Sequence, residues 1–205
     1  LMDTPAGIFA RLVGGAACNG LEPPTLLALL KHPLCRLDRA VGGWARAVET
    51  LELAILRGTR PPPGSRGLAD EFARFCGELD KLGRGESSSL HRGELRAALK
   101  PHQLDDVRAL IAALQAALAP LEGDGATRSA DFTLLAAQHR AAIEALSRDE
   151  QGIAAAFERQ DGAALAKAFD DLGGTGERSG LTVRIADYPE VFETAFGDRI
   201  VRRPQ

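Results

Sequence analysis

The segment Pro23-Pro24-Thr25-Leu26-Leu27-Ala28-Leu29-Leu30-Lys31-His32-Pro33-Leu34-Cys35 constrains this chain most, because it places leucine on nearly every side of one short helix. A surface helix carries a single apolar stripe, so a helix that is apolar all round needs other helices about it. Prolines open it at positions where a first turn has no use for the backbone N–H. Pro33 closes it by pushing His32 out of helical geometry. Lys31 and His32 then fall where the helix dipole favours positive charge.

The flanking sequence repeats the helical theme. Thr4-Pro5 offers a capping hydroxyl and a first-turn proline, and Ile8, Phe9, Leu12, Val13 and Ala16 follow at helical spacing until Asn19-Gly20. Val41, Trp44, Val48, Leu51 and Ile55 step by three and four along a long amphipathic helix. The segment from Arg57 to Gly67, with Pro61-Pro62-Pro63 at its centre, reads as an extended, non-helical loop. Leu68, Phe72, Phe75, Leu79 and Leu82 restart the period, and Gly83 to Ser89 has the composition of a flexible connection. A short helix holding Leu95 and Leu99 precedes one opened by Pro101 and lined by Leu104, Val107, Ile111, Leu114, Leu118 and Leu121. Beyond Gly123-Asp124-Gly125, Ser129 or Asp131 caps a helix carrying Phe132, Leu135, His139, Ile143 and Leu146.

Two shorter helices are predicted next, Gln151 to Arg159 with Ile153 and Phe157 inward, and Ala163 to Leu172 with Leu165 and Phe169 inward. After the break at Gly173-Gly174-Thr175-Gly176, alternation at Leu181, Val183 and Ile185 predicts a short strand without an evident mate. Asp187 is placed to cap a last helix through Phe192 and Phe196, and Arg199 to Arg203 reads as extended. No internal repeat or composition shift divides the chain, which predicts one helical domain over residues 1–205.

At 45% hydrophobic and 26% charged residues the chain has the make-up of a folded globule. A net charge of -3 excludes a surface that is basic all over, so contact with nucleic acid requires a local patch. Cys18, Cys35 and Cys76, odd in number and without CxxC spacing, suit reduced thiols in the cytoplasm rather than a disulfide or zinc framework. No apolar run reaches the roughly 20 residues that span a bilayer. The chain opens on Leu1-Met2 and stops at Gln205 as an extended run leaves a helix, and it reads as an internal segment of a longer protein.

No catalytic constellation is present: there is no P-loop, no HExxH, no Gly-x-Ser-x-Gly elbow and no acid two residues before a lysine. His32, His91, His102 and His139 show no metal-ligand spacing. His139 interrupts an apolar face, where a core histidine bonded to a backbone carbonyl is favoured over a ligand. Trp44 reads as core rather than as a stacking platform. The candidate binding residues are therefore arginines. Arg57, Arg60 and Arg66 share the proline-stiffened loop without an acid among them, and Arg199, Arg202 and Arg203 form a second cluster.

Taken in order, Thr4-Pro5-Ala6-Gly7-Ile8-Phe9-Ala10-Arg11-Leu12, Leu26-Leu27-Ala28-Leu29-Leu30-Lys31-His32-Pro33-Leu34, Leu56-Arg57-Gly58-Thr59-Arg60-Pro61, Tyr188-Pro189-Glu190-Val191-Phe192 and Val201-Arg202-Arg203-Pro204 resemble the middle of AddB-type double-strand break repair proteins. These are subunits of bacterial AddAB helicase-nucleases. The resemblance implies a helical insertion equivalent in position to the 2B subdomain of superfamily 1 helicases, within a much longer parent. It implies an AddA-type partner subunit and double-stranded DNA ends as contacts. The family's iron–sulfur cluster and divalent metal belong to a nuclease domain whose motifs match nothing here, so no cofactor and no catalytic residue carry over.

The expected fold is thus all-α, an irregular orthogonal bundle of roughly eight to ten helices with at most a minor strand pair near the ends. The expected function is a non-catalytic accessory module, a spacer and contact surface for duplex DNA or the partner subunit. The competing class is a freestanding helical interaction or regulatory domain without a DNA role. A third class, an enzyme assembled from scattered residues such as His139 and Glu144, is weaker. The isolated chain should therefore be catalytically silent. With ATP, magnesium and linear duplex, phosphate release and nucleotide release should stay at buffer level; activity that survives repurification and vanishes on one point substitution would overturn this.

Overall fold

A computed structural model of the chain describes residues 1–37, 43–123, 128–173 and 179–197. The fold is all-α, with eight α-helices and one two-stranded antiparallel sheet among those residues. The helices are α1 (Pro5–Cys18), α2 (Pro23–Leu30), α3 (Trp44–Leu51), α4 (Gly64–Gly83), α5 (Pro101–Glu122), α6 (Phe132–Ser147), α7 (Gln160–Gly173) and α8 (Tyr188–Gly197). The strands are β1 (Ser129–Asp131) and β2 (Thr182–Arg184), paired Ser129 to Arg184, Ala130 to Val183 and Asp131 to Thr182. The predicted strand at Leu181–Ile185 thus has a mate, and that mate lies in mid-chain rather than near an end.

Two helices act as hubs. α5 packs against α3, α4, α6 and α1, while α1 packs against α2, α6, α7 and α8. The buried apolar residues form one continuous cluster from Met2 to Phe196. α1 can serve as a hub because its side chains are small: Ala6, Gly7, Ala10, Gly14, Ala16 and Ala17 are buried beside Phe9 and Val13. A Cβ at Gly7 would lie 2.3 Å from the Leu1 carbonyl oxygen, so only glycine fits there. Thr4 caps the helix by accepting the Gly7 N–H at 3.2 Å. At the other end Gly20 has φ of 72°, and the Leu21 N–H reaches the Ala16 carbonyl at 2.9 Å, a Schellman-type stop.

The leucine-rich helix α2 is less central than its sequence suggests. Leu26, Leu29 and Leu30 are buried, but Leu27 is half-buried and Pro24 and Ala28 are exposed. An apolar circumference says that packing is available, not that every side finds a partner. His32 also departs from expectation: its Nδ1 accepts the Leu34 N–H at 3.2 Å, and burial lowers its pKa, so it does not act as a dipole-stabilised cation.

The remaining differences have local causes. Val41 lies outside the described residues, and the helix it was expected to start begins at Trp44 and widens into a π-type turn over Glu52–Leu56. Leu95–Ala98 is only a 3₁₀ turn, with Leu95 78% exposed. The helix predicted from Gln151 is reduced to a 3₁₀ turn at Ala155–Phe157, because the Asp149 carboxylate gathers the N–H groups of Gln151 and Ile153, each at 3.0 Å, into a tight turn. Ile153 consequently faces solvent. Asp131 rather than Ser129 caps α6, accepting the Thr133 N–H at 2.9 Å, and four groups hydrogen-bonded to it, led by the Thr133 hydroxyl, hold its pKa down to about 2. The Asp187 carboxylate binds Arg184 at 2.7 and 3.0 Å, and among the described residues it makes no capping bond to α8.

His139 is fully buried and joins three helices. Its Nε2 lies 2.9 Å from the Ala10 carbonyl of α1, and its Nδ1 lies 3.0 Å from the Tyr188 hydroxyl of α8. A carbonyl only accepts, so Nε2 carries the proton and Nδ1 accepts the O–H of Tyr188. The rings of Phe192, Tyr188 and Phe169 surround the imidazole at 4.6, 5.5 and 5.8 Å between centroids. Desolvation pushes its pKa down to about 4.

Replacing His139 with Ala should lower stability by about 1–3 kcal/mol, read from urea unfolding. Because the folded pKa is depressed, the unfolded chain binds the proton first. The contribution of neutral His139 is complete above pH 6.5 and is lost as pH falls toward 4. The loss is on the order of 3 kcal/mol. His32 adds a smaller loss in the same window. Unfolding curves from pH 7 to 4 should therefore be markedly flatter for His139→Gln than for the wild type; parallel curves would refute the assignment.

Candidate nucleic-acid interface

The loop after the π-type turn is held by its neighbours. The Gly64 N–H donates to the Gly20 carbonyl at 2.9 Å, and Gly64 adopts φ of 82°. A Cβ at Gly67 would lie 2.3 Å from the Pro62 carbonyl oxygen, so the loop and α4 approach as closely as backbone allows. The extended stretch ends earlier than its composition predicts, since Gly64 to Gly67 are already helical. The cause lies 57 residues away. Glu122, at the end of α5, accepts the Ser65 N–H at 3.0 Å and the Ser65 hydroxyl at 2.6 Å, supplying in trans the cap that α4 lacks locally.

The three loop arginines are exposed but not equivalent. Arg57 places Nε and Nη2 at 3.2 and 3.0 Å from one oxygen of Glu52, whose other oxygen takes Lys31 at 2.9 Å. The hydrogen bond from Lys31, followed by that from Arg57, lowers the Glu52 pKa. Arg60 pairs with Glu22 at 3.0 Å. Arg66 lies in the first turn of α4 and has no carboxylate partner among the described residues. Arg199, Arg202 and Arg203 lie outside the described residues.

Between the loop, α4 and the segment around Ser89–Arg96 runs a cleft of about 500 Å³. It brings Arg60 together with Arg74 and Arg96, which sequence reasoning missed: one sits on an amphipathic helix and the other follows a flexible connection, and only packing makes them neighbours. Arg74 pairs with Glu71 at 2.6 Å. Arg96 pairs with Glu94 at 2.7 Å and lies over the Phe75 ring at 5.9 Å. Glu78, on the same wall, is held by Lys81 and by the Ser88–Ser89 turn, which bring its pKa down to about 2. The cleft is thus charge-balanced. Exposed pairs of this kind contribute only about 0–1 kcal/mol each, so an incoming phosphate can exchange with a carboxylate at little cost.

The other sequence candidates do not converge. His139 is sealed in the core, while the Glu144 carboxylate is engaged by Arg140 at 3.3 Å. Trp44 donates its indole N–H to the Leu30 carbonyl at 3.2 Å. Among the described residues no group of three or more His, Cys, Asp or Glu side chains is placed to hold a metal ion, and no helix is long and apolar enough to cross a membrane. Burial pushes the thiols of Cys18 and Cys35 up to about 12.

Fold and site define an all-α protein with a clamped arginine loop beside a mixed-charge cleft. No known protein family, curated protein or solved structure matches this chain.

Glu122→Ala should destabilise the chain by about 1–2 kcal/mol, because it removes the cap on α4 and leaves the buried Ser65 hydroxyl unpaired. Ser65→Ala, which keeps the backbone N–H bond, should cost less. Equal denaturation midpoints for the two variants would contradict the capping role.

Proposed function

We propose that this chain is a non-catalytic helical accessory module of a cytoplasmic DNA end-processing helicase-nuclease, in which the arginine loop touches duplex phosphates beside an AddA-type partner subunit. The observation that carries this reading is the loop itself: Arg57, Arg60 and Arg66 stand at the surface on a segment clamped by Gly20, Gly67 and Glu122. A rigid segment loses little conformational entropy on binding. The stretches that resemble AddB-type proteins, among them Leu56 to Pro61 in this loop, supply the DNA context.

Charge sets the scale. Lys31, Arg57, Arg60 and Arg66 are opposed by Glu22 and Glu52, so a few phosphate contacts are available and sequence readout is not. Binding should be weak and independent of sequence, with a dissociation constant on the order of 10⁻⁴ to 10⁻⁶ M. Tethering to other DNA-binding parts would raise its effective concentration. The pairing of the cleft arginines with carboxylates favours a second reading, a protein-facing surface without a DNA role.

Fluorescence anisotropy of a labelled duplex at low and physiological salt separates the two. The Arg57→Ala, Arg60→Ala, Arg66→Ala triple variant should bind more weakly and lose about three from the salt slope. Equal binding by wild type and variant would remove the loop from the interface. Absence of binding by either at low salt would favour the protein-facing reading.

A further inference from the structure

Lys31 and Arg57 come from different elements and meet on one carboxylate. Lys31 follows the last turn of α2, its backbone N–H bonded to the Leu27 carbonyl at 3.0 Å. The Trp44 indole N–H, bonded to the neighbouring Leu30 carbonyl, ties that helix end to the start of α3. α3 runs directly into the π-type turn, whose first residue is Glu52 and whose Ala54, Ile55 and Leu56 are buried. Both backbones are therefore fixed before the side chains meet.

The carboxylate is recessed and the cations project. The Glu52 side chain is 18% exposed, against 55% for Lys31 and 64% for Arg57. Arg57 directs Nε and Nη2 to one oxygen of Glu52, and Lys31 takes the other at 2.9 Å. The Nε–Nη2 edge is a fork with which a guanidinium grips a phosphate, so that fork is already closed. The Lys31 bond, followed by the Arg57 bond, holds the Glu52 pKa below its ordinary value, and the group stays ionised at neutral pH. Arg60 is held more lightly, by Glu22, which is itself 47% exposed.

We propose that Glu52 is an autoinhibitory contact of the arginine loop: it closes Lys31 and Arg57 on the protein, and duplex phosphates reach these two cations only by displacing its carboxylate. The inference rests on the DNA reading above. It adds that Lys31, from the end of α2, belongs to the contact surface, and that a recessed acid regulates the affinity of that surface. Exposed ion pairs are weak enough to exchange with a phosphate, yet the displaced carboxylate stays beneath the site and repels the incoming anion. Glu52 thus weakens binding twice, by occupying the donors and by its charge. The neutral amide of glutamine has the same shape and removes both effects.

Fluorescence anisotropy with a labelled duplex tests this on Glu52→Gln and Glu22→Gln. Glu190→Gln controls for net charge alone, since Glu190 is exposed on α8, which packs against α1 and α6. Glu52→Gln should bind about three- to tenfold more tightly than the wild type at low salt and steepen the salt slope by about one. Glu22→Gln, which frees one cation, should gain less, and Glu190→Gln should bind like the wild type. The gain from Glu52→Gln should shrink in a Lys31→Ala background, where only Arg57 is left to release. The proposal is overturned if Glu52→Gln binds like the wild type, if Glu190→Gln gains as much, or if Lys31→Ala leaves the gain unchanged. In each of those cases the wild type still binds and the DNA reading stands. No binding by any of these proteins at low salt removes the DNA reading and this inference with it.

Discussion

The imidazole of His139 is the constraint on which this bundle depends. It is a polar group fully removed from water, and it is tolerable there only because both nitrogens are satisfied. The carbonyl that accepts from it belongs to α1 and the hydroxyl that donates to it belongs to α8, so the bonds on α6 also set the spacing of the helices on either side. Gly14 makes the approach possible: a Cβ there would lie 3.2 Å from the imidazole Cε1. The alanine and glycine content of α1 is therefore a packing device. It lets one helix stand within reach of five others.

A similar long-range bond places the arginine loop. Without Glu122, the first turn of α4 would present unsatisfied N–H groups and the Ser65 hydroxyl would have no partner in a buried setting. With it, α4 starts at Gly64, next to Pro63, and the loop is drawn onto the turn that ends α1. The loop is consequently a fixed edge. Its charge is moderated by Glu22 and Glu52, which suits reversible contact rather than tight capture.

Much of the helical skeleton could be read from residues near one another in the chain. Thr4 and Pro5, Asn19-Gly20, Pro101 and Asp131 mark helix ends through interactions that span a few residues, and those ends are where they were expected. Leu165 and Phe169, Phe192 and Phe196, and the leucines of α5 point inward as their spacing required. Failures occurred where a side chain competed with the helix. Asp149 turned the backbone before Ala155, and Arg184 took the Asp187 carboxylate from its expected capping role.

What the sequence determined by itself is therefore the all-α class, most helix boundaries and the fact that His139 belongs to the core, because periodicity and capping act through local backbone geometry. Tertiary structure alone decided which distant groups meet. Tyr188 lies 49 residues from His139, Glu122 lies 57 from Ser65, and the carboxylates that engage Arg57 and Arg60 come from the π-type turn and from the residue before α2. It also brought Lys31 to the Glu52 carboxylate. A polar side chain bonds to whatever acceptor packing delivers, and no local preference in the chain carries that information.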